Sequence, residues 1–161
     1  MSNYIHDPEE WAAKCVDDPR WLAECLERIG RFGGQHPTAS VLMHSLEVWW
    51  MCRHESQQTQ LWALMHDAHE AVTGDIPRPV KHAGMFHKQA VLDDVLLRHL
   101  GITAEYATVA VFDKICGDAE HAQWGDTLWQ HGYAPEEAVQ VFDTKARRLM
   151  AVIAATAKVQ P

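Results

Sequence analysis

Apolar residues recur along this chain at three- and four-residue spacing and almost never at every second position. Trp21, Leu22, Cys25, Leu26 and Ile29 form one such stripe, and Val41, Leu42, Ser45, Val48, Trp49 and Cys52 a second. Val139, Phe142, Ala146, Leu149, Met150 and Ile153 form a third. That period belongs to one face of an α-helix. The punctuation agrees. Asp7-Pro8-Glu9-Glu10 offers a cap, a proline for the first helical position and acids for the first turn. Asp18-Pro19 repeats the signal, and Pro135-Glu136-Glu137 opens a last helix. Gly30 and Gly101 are placed to end helices. Thr38 or Ser40 can cap a helix from about Ala39 to Arg53, and Thr103 a long one ending near Gly125. Further helices are predicted from about Gln58 to Val72, stopped at Gly74, and from Phe86 to Leu100. The expectation is an all-α fold, a single bundle of about six or seven helices.

Composition bounds the rest. No repeat, low-complexity tract or linker divides the 161 residues, so one domain over residues 1–161 is expected. With 47% apolar residues the chain can build a core, which excludes disorder. A formal charge of -8 argues against a nucleic-acid partner, which would call for a basic surface, but leaves room for a small phosphorylated ligand in one Lys/Arg pocket. No apolar run approaches the roughly 20 residues of a membrane span, and MSNYIHDPEEW carries acids where a signal peptide would be apolar. Cys15, Cys25, Cys52 and Cys116 are scattered, as buried free thiols would be, and a cytoplasmic location follows as the expectation.

One stretch does not fit a purely structural reading. Leu61 to Lys81, LWALMHDAHEAVTGDIPRPVK, starts as an apolar helix, then gathers His66, Asp67, His69 and Glu70 before Gly74, Asp75, two prolines and Lys81. On an α-helix His66 and Asp67 point about 100° apart, so one cation between them is within reach of both. Other ligands must come from other helices. His44 lies on or beside the apolar face of the preceding helix, and Asp113 stands between Val109, Val111, Phe112 and Ile115, Cys116. Two His and two Asp make a mixed N/O set suited to one divalent ion, Zn, Co or Mn. Singly, each has a plainer reading: a hydrogen-bonded core histidine, a salt-bridged pair, a half-exposed helix acid with Asp118 competing for its place. Other hydrolase motifs fail on spacing, since neither His69-Glu70 nor His54-Glu55 is followed by the histidine of HExxH, and no P-loop or GxSxG occurs.

The set His44, His66-Asp67, Asp113 resembles the HD-domain metal-dependent phosphohydrolases. HDAHEAVTGDIPRPVK is similar to the HDxxE…GDxPxPxK segment of the small 5'-deoxynucleotidases of that superfamily and to phage dATP triphosphohydrolases. RFGG through His44-Ser45 resembles their substrate arginine, aromatic residue and first metal histidine, and Asp113 with Glu120 their late D…E helix. The likeness runs from about Arg31 to Trp124. It implies a water activated by one divalent metal that attacks phosphorus. His44, His66, Asp67 and Asp113 would hold the metal. Glu70, four residues after His66 and so on its helical face, would act as catalytic acid/base, and Asp75 would orient the water or protonate the leaving oxygen. Arg31 and Lys81 would take phosphate, and Phe32 would stack on base or sugar. His69 has no place in this pattern.

The expected substrate is a small-molecule deoxynucleotide. The first reading is a dNTP (dATP-type) triphosphohydrolase releasing triphosphate, in a host cytoplasm if a phage encodes it. The alternative is a 5'-deoxynucleotidase acting on dNMPs. A homo-oligomer, dimer or hexamer, is what the family implies. A non-catalytic nucleotide-binding HD module would normally lack a ligand or the acid/base, and none is missing. A structural Trp-rich helical protein leaves GDIPRPVK without a purpose.

Overall fold

The capping signals act where the sequence places them. In the computed structural model, which describes residues 7–34, 39–77, 80–81, 84, 86–103, 106–122 and 133–158, the Asp7 carboxylate accepts from Glu10 N–H at 2.8 Å and opens α1 (Pro8–Asp17). Asp18 accepts from Trp21 N–H at 3.2 Å and opens α2 (Pro19–Glu27). Both prolines sit at the first helical position, where the missing N–H has no intrahelical partner to lose. Ser40 caps α3 (Val41–Met51) through Met43 N–H at 3.2 Å, and Thr38, the other candidate, lies outside the described residues. Ser56 caps α4 (Gln57–Met65). Then come α5 (Glu70–Thr73), α6 (Phe86–Leu100), closed by Gly101 at φ 65, α7 (Tyr106–Ala122) and α8 (Pro135–Ala157). The expected end of α7 near Gly125 lies outside the described residues, as do Trp124, Arg78, Pro79 and residues 104–105 beside the expected cap Thr103.

Seven helices of nine residues or more therefore form one all-α bundle, with α5 as an extra turn and no strand among the described residues. Two boundaries differ from the sequence reading. The second helix ends at Glu27, not at Gly30, which instead forms an isolated bridge with Ser40. Glycine is needed there for close approach, because a Cβ on Gly30 would lie 3.1 Å from Gly34 Cα. The helix predicted over about Gln58–Val72 breaks after Met65 and resumes at Glu70.

Helices α3 and α4 form the centre. Every residue from Val41 to Leu46 and from Leu61 to Glu70 is buried. A helix apolar on all sides can be stable only when neighbours surround it. Here α2, α4, α7 and α8 pack on α3, while α7 and α8 also pack on α4. Leu22, Leu26, Leu42, Leu61, Leu64, Met65 and Phe142 fill the space between them, and α6 closes over α1 around Trp11 and Leu96. The consequence for function is that His44 and the residues after Met65 are carried into the interior, where an unpaired polar group is costly. The four cysteines are free, three of them buried. No helix is long and apolar enough to cross a membrane among the described residues.

Candidate metal and catalytic site

The break in α4 shapes the site. The N–H groups of Ala68, Glu70, Ala71 and Val72 donate to carbonyls three residues back, Met65, Asp67, Ala68 and His69, at 2.9, 2.9, 3.1 and 3.0 Å. Such 3₁₀ turns place residues i and i+3 one above the other. Glu70 thus stands over Asp67 and His69 over His66, which corrects the expectation that Glu70 shares the face of His66. Gly74, at φ 72, then ends α5 with its N–H on Glu70 O, as the sequence indicated.

The structure brings His44, His66 and Asp67 together, with one ligand atom from each inside 4.8 Å of the others. His66 Nδ1–H donates to Ala63 O at 2.8 Å, which leaves Nε2 as the nitrogen that could ligate a metal ion once it gives up its proton. That Nε2 is buried, lies 3.3 Å from Asp67 Oδ2 and has no well-directed hydrogen bond. His44 Nδ1–H donates to Glu120 Oε1 at 2.9 Å, and Nε2 faces Asp113 Oδ1 at 2.9 Å and Asp67 Oδ2 at 3.7 Å. Asp113, with its side chain 45% exposed, also lies 3.9 Å from His66 Nε2. Its competitor Asp118 pairs with Lys114 on the surface. A buried, unpaired imidazole nitrogen beside a carboxylate, each ring fixed through its other nitrogen, is what a divalent ion requires of its ligands. These residues could hold a metal ion.

The electrostatics are those of a tight charge cluster. Burial is the largest influence on His66 and works to lower its pKa, but the charge and hydrogen bond of Asp67, with the charge of Asp113 and the bond to Ala63 O, together outweigh it and carry the ring up to about 9. Burial and Arg31 act against protonation of His44, while its bonds to Asp113 and Glu120 raise its pKa. Burial would raise Asp67, yet His66, His44 and Arg31 hold it well below the carboxylate range.

Arg31 is buried, and its Nε and Nη2 donate to Glu120 Oε2 at 3.1 and 3.0 Å, with Nη1 3.8 Å from Asp67 Oδ2. The fork expected to face phosphate is turned onto Glu120. Arg31, Glu120 and His44 so form a chain that orients the first candidate ligand. The sequence hinted at Glu120, two turns after Asp113 on one helix, without revealing this role. Glu120→Gln, which removes the charge but keeps the shape, is expected to weaken metal binding about 10- to 100-fold, read by metal titration of folded protein. Unchanged affinity would remove Glu120 from the site.

Phe32, beside Arg31, has φ 57, a strained value for a side chain of its size, and its ring lies 5.2 Å from the guanidinium carbon. Asp75 Oδ2 accepts from Gly33 N–H at 2.9 Å, tying the loop after Gly74 to the RFGG turn. The fit is close, since a Cβ on Gly33 would lie 3.0 Å from Pro77 Cγ.

Glu70 is fully buried and lies 3.3 Å from Lys81 Nζ through Oε1, while Oε2 has no partner. Burial, then the charge of Asp67, push its carboxyl up to about 9 against the pull of Lys81. A cavity of about 380 Å³ opens beside these groups, lined by His66, Asp67, His69, Lys81 and Asp113 with Trp62, Val109 and Gln89 among its walls. His69 Nδ1 is bonded to Asp93 Oδ1 at 2.8 Å, a partner on α6 that no sequence signal announced. No protein-family model, no curated protein and no solved structure matches the chain.

Proposed function

We propose that this chain is a metal-dependent phosphohydrolase acting on deoxyribonucleotides. The observation that carries the proposal is the buried trio His44, His66 and Asp67, with His66 Nε2 fixed in direction beside Asp67 Oδ2 and without a well-directed hydrogen bond, next to a cavity that also exposes Lys81. A divalent ion held there supplies a water activated near neutral pH and a polarised phosphoryl oxygen. Glu70, which keeps its proton at neutral pH, handles that proton at the unpartnered Oε2. Asp75 is the second proton-handling carboxylate of this reading, anchored through Oδ2 to Gly33. Lys81 draws the phosphate in as a point charge.

The first reading of the substrate is a dNTP, cleaved at the α-phosphorus with release of triphosphate. A specific observation favours the second, a dNMP. Among the described residues Lys81 is the sole Lys or Arg lining the cavity, and Asp93 and Asp94 line it too, a poor charge balance for two further phosphates. Incubation with each dNMP and dNTP plus Mn, Co or Zn distinguishes them by product, phosphate or triphosphate. Neither product with any metal would refute the proposal. Lys81→Ala is expected to lower kcat/KM on the order of 10- to 100-fold, the worth of one hydrogen bond to a charged group, mainly through KM and with the fold intact. An unchanged KM would remove Lys81 from the substrate.

A further inference from the structure

Among the described residues the three buried histidines are built alike. His44 Nδ1 meets Glu120, His66 Nδ1 meets Ala63 O and His69 Nδ1 meets Asp93, at 2.9, 2.8 and 2.8 Å. An acceptor on one ring nitrogen is how a protein aims the other at a cation. Two of the three belong to the trio already described. The third does not, and its surroundings form a separate group: ligand atoms of Asp67, His69 and Glu70 lie within 4.8 Å of one another. His69 is 6% exposed and Glu70 1%, and His69 Nε2 and Glu70 Oε2 are both buried without a partner. The neighbours decide the sign of what they would bind. Asp67, Glu70 and Asp93 present oxygens here, Asp94 lines the same cavity, and Lys81 is already on the other oxygen of Glu70. An anion would face carboxylates, whereas a cation accepts every lone pair on offer. One imidazole and two carboxylates suit Mn, Co or Zn.

We propose that Asp67, His69 and Glu70 form a second divalent-cation position whose occupation inhibits the enzyme. Asp67 is shared with the first trio and so bridges the two. An ion at Glu70 Oε2 takes the oxygen that the reaction needs for its proton. Binding at this position stands on the geometry alone, and only its inhibitory effect rests on the phosphohydrolase reading.

Mn(II) is the probe, with two readouts on the whole chain: ions bound per chain and nucleotide hydrolysis against Mn(II) concentration. The wild type is expected to bind two ions, the second more weakly, with activity rising and then falling. His69→Ala is expected to bind one ion and to lose the falling limb. Asp93→Asn, which leaves the imidazole present but poorly aimed, should shift that limb to Mn(II) concentrations about 10- to 100-fold higher, and it keeps the test open if His69→Ala fails to fold. A single ion in the wild type, an unchanged count in His69→Ala, or a falling limb that persists in both variants would overturn the proposal. Two ions in the wild type and one in His69→Ala, with no hydrolysis in either, would uphold the cation position and refute the phosphohydrolase reading.

Discussion

Asp67→Ala is expected to abolish hydrolysis and strip the ion held with His44 and His66. Asp67 Oδ2 lies 3.3 Å from His66 Nε2, 3.7 Å from His44 Nε2 and 3.8 Å from Arg31 Nη1, so one carboxylate faces three cationic or metal-facing groups. Losing the ion removes several kcal/mol of transition-state stabilisation, a drop of about 1000-fold or more. The metal-free fold should suffer too. Asp67 helps carry His66 up to about 9, and without it the buried His66 ring loses its charge partner and Arg31 one of its two carboxylates. Removing one partner of a buried pair costs about 3–5 kcal/mol. Metal content, product release and thermal unfolding of the same preparation check this. Retained metal and unchanged hydrolysis in Asp67→Ala would sink the site assignment.

How much of this the sequence revealed depended on how far each signal had to reach. Asp7-Pro8, Asp18-Pro19, Ser40 and Gly74 act on their own neighbours, and each starts or stops a helix where expected. The stripe of α8 was legible because burial follows from period alone, and Val139, Phe142, Ala146 and Leu149 are buried. His44 and His66-Asp67 could be paired from their positions on adjacent apolar helices. The orientation of Arg31 could not. Its partner Glu120 is 89 residues away, and a guanidinium beside a glycine-rich turn reads equally well as a phosphate fork. The 3₁₀ turns at His66–His69 were hidden for another reason. No glycine or proline marks them, and the tightening suits side chains whose partners, Asp93, Asp113 and Lys81, come from elsewhere in the chain. His69 had no reading until Asp93 was seen behind it.

Glu70→Gln is expected to lose turnover while the protein becomes more stable. Proton transfer by a positioned carboxyl contributes about 100- to 10,000-fold, and an amide cannot replace it. The ion at His44, His66 and Asp67 should remain, which separates this variant from Asp67→Ala. The stability gain follows from the folded carboxyl being pushed up to about 9, well above the ordinary 4.5. Below pH 4.5 both folded and unfolded chains carry the proton, and the group is neutral toward folding. Between 4.5 and 9 the unfolded chain ionises while the folded one stays protonated, so the folded state binds more protons and stability falls as pH rises. At pH 7 the metal-free wild type bears a penalty of about 3 kcal/mol, which glutamine removes. Melting curves of metal-free wild type and Glu70→Gln should therefore nearly coincide at pH 4.5 and separate steadily toward pH 9, the variant melting higher. A constant gap across that range would mean that Glu70 ionises in the folded protein as it does in water, and its role as the carboxyl that keeps a proton at neutral pH would be lost with it.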